Sequence, residues 1–544
     1  MPRSPLAYAL SRALRSAGAP TEAAQRRAHG DGTLAAAPRA AGFSRRTFLK
    51  AGSGLAAASL LGTSRAAPQS AQVAIVGAGI AGLTAALTLA DRGITSVIFE
   101  SSERIGGRMH SNTTTWTNGM TSEWCGEFIN SNHLTIRALA RRFGLALQDV
   151  NAADPPGSVD TNFFQGGYYL DAQALQDLMP VLQIMSEQSA AAGYPTTYNQ
   201  YTATGYALDH MSAYDWIEQY VPGGHQSRAG ELVDVLVNTD YGLDTTVQSA
   251  LNVVYYIAGS ERYHIAGGNQ QLPEAIAQTL PAGGIELGWR LVAIAINPDQ
   301  SIGLTFATPG GTEVMSFDQV ILALPFSVLR GVDYRKAGFD PLKIAAIETL
   351  GYGTNSKLEL EFDDRYWNQQ GAWPGVSNGF IETDLPFQST WDSSRAQPGS
   401  TGLIVDYTGG APGASYHAAT PYSTASDNPQ VAQFAGTFLQ ELELVWPGIS
   451  AHYLGLASLS YPTGDPNLLG SYSCWLVGQY TGIAGYEGVA QGNIHFAGEH
   501  TSYNFQGYME GGAQQGIRAA NEVSGALGVA ARRERRASAR VEAG

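Results

Sequence analysis

Residues 73–108 carry the clearest chemistry in the sequence, which is nucleotide binding. Gly77, Gly79 and Gly82 follow a short apolar run and precede a helical pattern, and Glu100 ends the next apolar run. In this strand–helix–strand order the glycines let backbone N–H groups approach a pyrophosphate at a helix N-terminus, and the acid accepts hydrogen bonds from a ribose. The segment therefore predicts a dinucleotide site, and it leaves NAD and FAD as alternatives.

Metal chemistry is not predicted. The ten histidines form no H-x-x-x-H pair and no cluster with cysteine. The two cysteines, Cys125 and Cys474, are far apart in the sequence, which leaves open whether they pair.

The elements that must position these residues follow from the hydrophobic pattern. We predict a helix over 133–145, a mainly helical stretch over 151–242, strands near 285–306, 320–324, 356–362 and 402–407, a helix over 428–445, and a strand, glycine-rich turn and helix within 493–525. These elements suggest a discontinuous nucleotide-binding domain (71–150, 245–340 and 480–527), a helical insert (151–244) and a substrate-binding domain (341–479).

Length and charge limit the classes of function. The chain has 544 residues, is 44% hydrophobic and carries a formal net charge of −15. The first 66 residues hold +8 of that charge, so the remainder stands at −23. Such an acidic body argues against nucleic-acid binding and favours cationic small molecules, although an acidic surface also keeps a secreted protein soluble.

The N-terminal region resembles a twin-arginine export signal. Residues 44–50 read SRRTFLK, an apolar run of small residues follows over 51–61, and small residues suited to cleavage lie near Ala66. The apolar run is too short for a stable membrane span. We therefore expect residues 1–66 to be a disordered region plus signal peptide, the twin-arginine translocase to be a partner, and the protein to be periplasmic or extracellular; an ordinary basic helix start is the alternative. Residues 528–544 are expected to form a disordered basic tail.

Four motifs together resemble the flavin-dependent amine oxidases, a family that includes monoamine, polyamine and L-amino-acid oxidases. The glycine turn with Glu100 is followed by RIGGR at 104–108, then VILALP at 320–325, NSK at 355–357, and FAGEHTS through GYMEG within 496–511. The resemblance covers most of residues 72–525. It implies an α/β fold with a Rossmann-type FAD-binding domain (GR2-like), a mixed-sheet substrate domain and a helical insert.

The resemblance also implies which residues hold FAD. Arg108 and nearby amides would contact the diphosphate, the backbone of Val292 the adenine, Glu499 the ribityl chain, and the Met509 N–H the flavin N1/O2 edge. The full implied set is Gly77, Gly79, Ala81, Gly82, Glu100, Arg104, Gly107, Arg108, Val292, Glu499 and Met509. Ser471 occupies the position of the cysteine that binds flavin covalently in monoamine oxidases, so we expect non-covalent FAD. Cys474, three residues later, keeps the covalent alternative open.

Catalytic and substrate-binding residues follow from the same resemblance. Lys357 matches the lysine that holds a water against flavin N5, and Tyr508 matches one wall of an aromatic cage. Trp475 is the predicted second wall, with Tyr472 as the competing candidate. Phe128 stands where L-amino-acid oxidases carry an arginine for the substrate carboxylate. Glu127 could attract a cationic amine or serve as a structural carboxylate.

The implied reaction is oxidation of a primary amine or polyamine by O₂, which gives an imine and then an aldehyde, with ammonia or a smaller amine and hydrogen peroxide. One alternative is an L-amino-acid oxidase whose carboxylate arginine lies elsewhere, for instance Arg228 or Arg262. Another is an FAD-binding scaffold that has lost catalysis. A homodimer is left open.

Overall fold

The computed structural model describes residues 73–256 and 259–528. The predicted export signal and all but the first residue of the basic tail lie outside these residues. The strands are β1 Val73–Val76, β2 Ser96–Phe99, β3 Ser111–Asn112, β4 Ser122–Glu123, β5 Leu147–Asp149, β6 Val159–Phe164, β7 Gly167–Tyr168, β8 Tyr263–Ile265, β9 Ile285–Glu286, β10 Arg290–Ile296, β11 Ile302–Thr308, β12 Gly311–Phe317, β13 Gln319–Leu322, β14 Asp333–Lys336, β15 Gly351–Tyr352, β16 Ser356–Phe362, β17 Ser377–Thr383, β18 Ser389–Asp392, β19 Gly402–Thr408, β20 Tyr422–Thr424, β21 Tyr453–Ser460, β22 Ser473–Cys474 and β23 Ile494–Phe496.

The helices alternate with these strands and differ widely in length. They are α1 Ile80–Ala90, α2 Leu134–Arg142, α3 Asp171–Ala192, α4 Ala203–Asp209, α5 Ala213–Tyr220, α6 Arg228–Tyr241, α7 Ala250–Val254, α8 Gln271–Ala277, α9 Phe326–Leu329, α10 Pro341–Thr349, α11 Gly410–Ser415, α12 Pro429–Val445, α13 Gln479–Gly482 and α14 Met509–Ala526. Among the described residues no helix has the length and apolar character needed to cross a membrane.

A five-stranded parallel sheet carries the predicted nucleotide motif. Its strand order is β23-β13-β1-β2-β9, and β1 is buried along its whole length. Because parallel strands end at the same edge, the turn after β1, Glu100 after β2 and the segment after β23 meet there; the Gly77 N–H donates to the Phe99 carbonyl at 2.7 Å. The Rossmann-type fold class is confirmed.

A four-stranded sheet, β12-β11-β10-β14, packs beside the parallel sheet through a shared apolar core. The pairing of β10 with β11 shifts register between Leu291 and Ala293, which leaves Val292 at a β-bulge. Such a bulge frees the backbone groups of Val292 from the ladder.

The second large sheet has eight strands in the order β20-β21-β16-β19-β18-β17-β6-β7. It is mixed, because β6 pairs with β17 in parallel and β17, β18, β19, β16 and β21 follow antiparallel. Helix α12 covers one face with Phe438 and Leu442, which join a fully buried cluster with Leu358 and Trp367. This sheet matches the predicted mixed-sheet part of the fold.

Helices α3 to α7 form the predicted helical part, but the prediction of helix from 151 onward is wrong at its start. Residues 159–168 form β6 and β7 instead, and Val159, Thr161 and Phe163 pair with β17. The segment VDTNFF is buried at five of its six positions. Its pairing with β17 therefore determines its conformation more than its weak intrinsic preference for helix or strand does. The proposed domain bounds remain a prediction.

Candidate active site

One large cavity, of about 430 Å³, joins the parallel sheet to the helical part and the mixed sheet. We name its two ends, the glycine end and the tyrosine end, after residues that line them. The glycine end is lined by Gly77, Gly79, Ala81, Glu100, Arg104, Gly107 and Arg108. The tyrosine end is lined by Tyr194, Asp240, Tyr241, Tyr255, Tyr256, Tyr407, Tyr472, Tyr480, Tyr503 and Tyr508. Glu127, Phe128, Lys357, Trp475, Glu499 and Met509 also line the cavity, whereas Gly82 and Val292 do not.

The turn after β1 is shaped by the absence of side chains. Gly77 has φ +105, and a Cβ there would lie 2.7 Å from the carbonyl oxygen of Ala323. A Cβ on Gly82 would lie 1.9 Å from the carbonyl oxygen of Gly77, so Gly82 serves close packing and not the cavity wall. A Cβ on Gly79 would meet nothing within 4 Å, because that face opens into the cavity.

Glu100 closes this turn and still faces the cavity. Its Oε2 accepts from the Ala78 N–H at 2.7 Å, and its Oε1 accepts from the backbone and hydroxyl of Ser102, each at 2.9 Å. The carboxylate is therefore held rigidly at the end of β2, the position from which a ribose diol is recognised.

The half-buried Arg108 and the buried Glu499 form an ion pair on the same wall. Arg108 Nη1 donates to Glu499 Oε1 and to the Ser471 carbonyl, both at 2.9 Å. Glu499 Oε2 accepts from the Ser473 hydroxyl and the Gly507 N–H. Burial raises the pKa of Glu499, but Arg108 and these donors bring it below its ordinary value. The predicted ribityl acceptor thus already has several protein donors.

Two helix N-termini converge on the cavity. Gly79, Ile80 and Ala81 bring the start of α1 to its wall, and Tyr508 and Met509 bring the start of α14. The helices cross closely, since a Cβ on Gly516 would lie 2.2 Å from the Ala81 carbonyl oxygen. Free N–H groups at such ends favour negative charge. The open glycine cradle, the ribose acid and two positive helix ends therefore fit FAD.

Lys357 lies on β16 and is almost fully buried. Its Nζ donates to Glu127 Oε2 at 2.8 Å and to the Glu123 carbonyl at 2.6 Å, and it lies 3.4 Å from Glu359 Oε1. Burial lowers the pKa of Lys357, but Glu127 and Glu359 raise it above the ordinary value. Lys357 is a cation that lines the cavity.

Glu127 is the partner of this lysine, and this pairing argues against one of its two predicted roles. Its Oε1 accepts from the Ser393 hydroxyl at 2.9 Å while Oε2 pairs with Lys357. Burial raises the pKa of Glu127, but Lys357 brings it below the ordinary value. Because its charge is already compensated, Glu127 fits the structural role better than that of attracting a cationic amine.

The predicted aromatic residues differ in how they are held. Tyr508 is the N-cap of α14 and packs edge-on against His133 at 5.0 Å between ring centroids. Tyr472 lies beside it, because a Cβ on Gly507 would meet the Tyr472 ring at 3.3 Å. Trp475 is 4% exposed, its indole N–H donates to Glu487 Oε1 at 2.9 Å, and it stacks among Tyr480 and Tyr503. Trp475 and Tyr472 both line the cavity, and Trp475 as the second wall stays a prediction, with Tyr472 as the competing candidate.

The arginine found against Phe128 among the described residues does not line the cavity. Phe128 packs against Trp391 at 5.5 Å, and the buried Arg395 lies 5.8 Å from its ring centroid without reaching the cavity wall. The two arginines suggested for a substrate carboxylate are both elsewhere. Arg228 lies over Tyr169, and Arg262 pairs with Asp149 at the surface, so neither lines the cavity.

The cysteines are not joined to each other. Cys474 is fully buried, lies off the cavity and is 3.5 Å from the amide nitrogen of Asn252. Cys125 lines the cavity with its sulfur 3.7 Å from the Tyr422 hydroxyl. Ser471, at the position of a flavin-linking cysteine, donates to Asn355 Oδ1 at 2.7 Å. This arrangement agrees with non-covalent cofactor binding.

A metal ion needs several ligands close together. In the described ranges one group of three or more histidine, cysteine or acidic side chains has its possible ligand atoms within 4.8 Å of one another: Asp363, Asp364 and His452. The group lies outside the cavity, and His452 Nδ1 pairs with Asp363 at 2.8 Å.

Sequence reasoning missed Asp240 and most of the tyrosine end. Asp240 is 2% exposed and lies on α6, where Val233, Leu236 and Val237 form the apolar stripe one or two turns earlier. The position of Asp240 on the apolar stripe of a helix could have identified it from the sequence, because a buried carboxylate is rare without a partner or a function.

The chain belongs to the flavin containing amine oxidoreductase family, because the family's sequence model matches residues 80–524. It is therefore an oxidoreductase with FAD as its cofactor. Among similar proteins, an L-amino-acid oxidase from Naja atra is 26% identical over 481 residues, covering 83% of this chain and 87% of that protein. An L-amino-acid oxidase from Pseudechis australis is 24% identical over 479 residues, covering 83% and 86%.

Solved structures share the fold at lower identity. Cyclohexylamine oxidase from Brevibacterium oxydans has a TM-score of 0.72 and 20% identity, covering 84% of this chain and 99% of that one. Putrescine oxidase bound to putrescine has a TM-score of 0.70 and 17% identity, covering 84% and 99%. At these identities the likeness supports the fold and not a substrate.

Proposed function

We propose that this enzyme oxidises primary amines or polyamines to imines, which hydrolyse to aldehydes, with release of ammonia or a smaller amine and formation of hydrogen peroxide. The observation that carries the proposal is the composition of the cavity wall. The lysine and arginines that line it are Lys357, Arg104, Arg108 and Arg290, as far as the described residues go. Lys357 is paired with Glu127, and Arg108 with Glu499.

The remaining cationic side chains lie toward the glycine end. Arg104 lies over Tyr422, and Arg290 is exposed next to Leu291 at the start of β10. The tyrosine end therefore offers aromatic faces and carboxylates. A substrate carboxylate buried there would lack a compensating cation, which is costly, whereas an amine would be accepted.

FAD bound at the glycine end would supply the two-electron chemistry that links oxidation of the amine to reduction of O₂. The protein's own residues do the positioning. Gly77 and Gly79 leave room for the diphosphate beside the α1 N-terminus, and Tyr508 with Tyr472 would orient the substrate. We expect Lys357, kept protonated by Glu127, to hold a water molecule in the cavity.

Oxidative deamination of L-amino acids is the second candidate, favoured by the names of the two snake relatives. That reaction requires a cation for the α-carboxylate, most effectively a forked arginine. Arg395 is a buried arginine close to Phe128, but it does not line the cavity. The amine oxidase proposal rests on the absence of lysine and arginine from the described residues that line the tyrosine end.

A substrate panel read by peroxide release distinguishes the two. The panel contains aliphatic monoamines, aromatic amines, diamines, polyamines and the twenty L-amino acids, each at equal concentration with the purified yellow protein. We expect turnover with at least one amine class and none with L-amino acids. Turnover confined to L-amino acids would overturn the proposal.

Anaerobic mixing provides the matched control, because it separates reduction by substrate from the reaction with O₂. An amine that bleaches the flavin absorbance without oxygen is a substrate even if peroxide release is slow. If no amine bleaches the flavin and an amino acid does, the second candidate replaces the first.

A further inference from the structure

Asp240 is a buried carboxylate that faces the cavity without a basic partner. It is 2% exposed, lines the cavity near the C-terminal end of α6, and forms no salt bridge with any described lysine, arginine or histidine. Both of its oxygens are buried, and the Tyr256 phenol is the polar group that faces them. Burying a carboxylate in this way is costly unless something compensates its charge.

The surroundings make this point of the cavity more negative. The C-terminus of a helix carries partial negative charge, and α6 ends one residue after Asp240. The Thr239 carbonyl, immediately before it, points toward the same wall and accepts from the Tyr472 hydroxyl at 2.9 Å. A second carboxylate, Glu261, also lines the cavity.

The tyrosines around Asp240 complete the features of a cation site. Its charge raises the pKa of the phenols of five cavity residues, although burial is the larger cause in each case: Tyr241, Tyr256, Tyr407, Tyr472 and Tyr508. Aromatic faces attract ammonium groups, and this attraction is strongest where water is excluded. Burial raises the pKa of Asp240 to about 6, so it is ionised at neutral pH.

We propose that Asp240, with Tyr256 and the aromatic faces beside it, binds a second ammonium group of the substrate, so that diamines or polyamines are preferred over monoamines. This inference rests on the amine oxidase function proposed above and narrows its substrate class.

The chemistry of the reaction argues for the second ammonium group and not the first. The reacting nitrogen must lose its proton before the C–N bond can be oxidised, because its lone pair is needed to form the imine. A carboxylate at that nitrogen would favour the charged, unreactive form. Asp240 therefore suits a nitrogen that stays protonated while another nitrogen of the same molecule reacts.

The test compares matched amines on three forms of the enzyme. Diaminobutane, diaminopentane and spermidine are paired with butylamine and pentylamine, and kcat/KM is measured for the wild type, Asp240→Asn and the surface control Asp333→Asn. Asp333 is paired only with the neighbouring Arg335, so the control should leave every activity unchanged. Flavin absorbance at 450 nm and near-UV circular dichroism check folding.

In the wild type we expect kcat/KM for the best diamine to exceed that of its monoamine by at least about tenfold, because a hydrogen bond to a buried charged group is stronger than one between neutral groups. In Asp240→Asn the diamine value should fall at least about tenfold more than the monoamine value. Equal losses for both amines, or a wild type that prefers monoamines, would overturn the inference while leaving the amine oxidase function intact. If no amine is oxidised by the wild type, the proposed function itself fails.

If Asp240→Asn does not fold with flavin, Tyr256→Phe replaces it. This change keeps the ring and removes the hydroxyl that faces Asp240. We expect a smaller loss, of about threefold or more, in the diamine-to-monoamine ratio of kcat/KM. An unchanged ratio in this variant would count against the site.

Discussion

The two ends of the cavity are built by different means. The glycine end comes from one continuous segment, 77–108, and its shape is set by backbone: a Cβ would be blocked at Gly77 and Gly82, and open space lies beside Gly79. The tyrosine end is assembled from side chains on α6, β19, α13, α14 and the loops between them. A backbone cradle recognises what every family member must hold, whereas a wall of side chains can change with substrate.

The two ends also differ in the sign of the charges that face the cavity. The positive N-terminus of α1 faces the glycine end, and Arg108 is balanced there by Glu499. The tyrosine end receives the negative end of α6 and the carboxylate of Asp240. One cavity therefore offers anion-binding chemistry at one end and cation-binding chemistry at the other.

The strongest test of this contrast is a methyl group added at Gly82. In Gly82→Ala the new Cβ would lie 1.9 Å from the Gly77 carbonyl oxygen, and backbone cannot move aside as a flexible side chain can. We expect a loss of about 3 kcal/mol or more in the free energy of unfolding and purified protein with little flavin. Urea denaturation and the ratio of absorbance at 450 and 280 nm measure the two effects.

Gly79→Ala is the matched control for this change. Its Cβ would point into open cavity space, so the apoprotein should keep the stability of the wild type while FAD retention falls. Equal destabilisation by both substitutions would contradict the view that Gly82 serves packing and Gly79 serves the ligand.

The next largest effect concerns the buried ion pair between Lys357 and Glu127. Lys357→Met leaves the Glu127 carboxylate buried, with the Ser393 hydroxyl as its remaining side-chain hydrogen-bond donor among the described residues. We expect a loss of about 3–5 kcal/mol in the free energy of unfolding, because the remaining charge is uncompensated. In the double variant Lys357→Met with Glu127→Gln most of that stability should return, while kcat stays at least about tenfold below the wild type.

A double-mutant cycle of denaturant midpoints and kcat checks this expectation. If the double variant recovers both stability and kcat, Lys357 is a structural cation only. If it recovers neither, the cluster with Glu123 and Glu359 depends on the lysine in a way that pairing with Glu127 does not explain.

The contrast between the ends also explains how much the sequence could predict. Gly77, Glu100 and the RIGGR segment act through turns and strand ends that are close in sequence, so their spacing predicts their arrangement. The tyrosine end depends on residues up to some 300 positions apart, such as Tyr194 and Tyr508, and no spacing rule brings them together. The resemblance identified Tyr508 and Lys357 but not the residues that surround them.

Three particular results show where local reasoning ends. The sequence leaves Glu127 open between a substrate contact and a structural carboxylate, because nothing in it shows that Lys357, on β16, lies 2.8 Å away. Residues 159–168 fall in a stretch predicted to be mainly helical, yet β6 within them pairs with β17, more than 200 positions later. Arg228 and Arg262 are only examples of an arginine elsewhere, and in the structure Arg228 lies over the buried Tyr169 while Arg262 pairs with Asp149.

The smallest expected effect is a dependence of the free energy of unfolding on pH. It should come from the side chain of Glu123 and leave the glycine end unchanged. Burial raises the pKa of Glu123 to about 8, although Asn269 and Ser111 donate to it. A carboxyl group whose pKa is higher in the folded state stabilises fully below its unfolded pKa of 4.5, and that stability is lost as pH rises through about 8. The wild type should therefore lose about 2 kcal/mol from this group between pH 6.5 and pH 8.

Glu123→Gln keeps an oxygen for the Asn269 N–H and removes the ionisation, so its stability should depend less on pH over that interval. Urea midpoints of both proteins at pH 6.5, 7.25 and 8 measure the difference, which also cancels the contributions of other groups that titrate there. Flavin retention should be the same in both proteins at every pH, because the shape of the glycine end is set by the backbone around Gly77 and by Glu100 and does not depend on Glu123. Parallel pH curves for the two proteins would show that Glu123 does not ionise in the folded state over this range. A pH-dependent loss of flavin confined to the wild type would show that the charge of Glu123 acts on the glycine end.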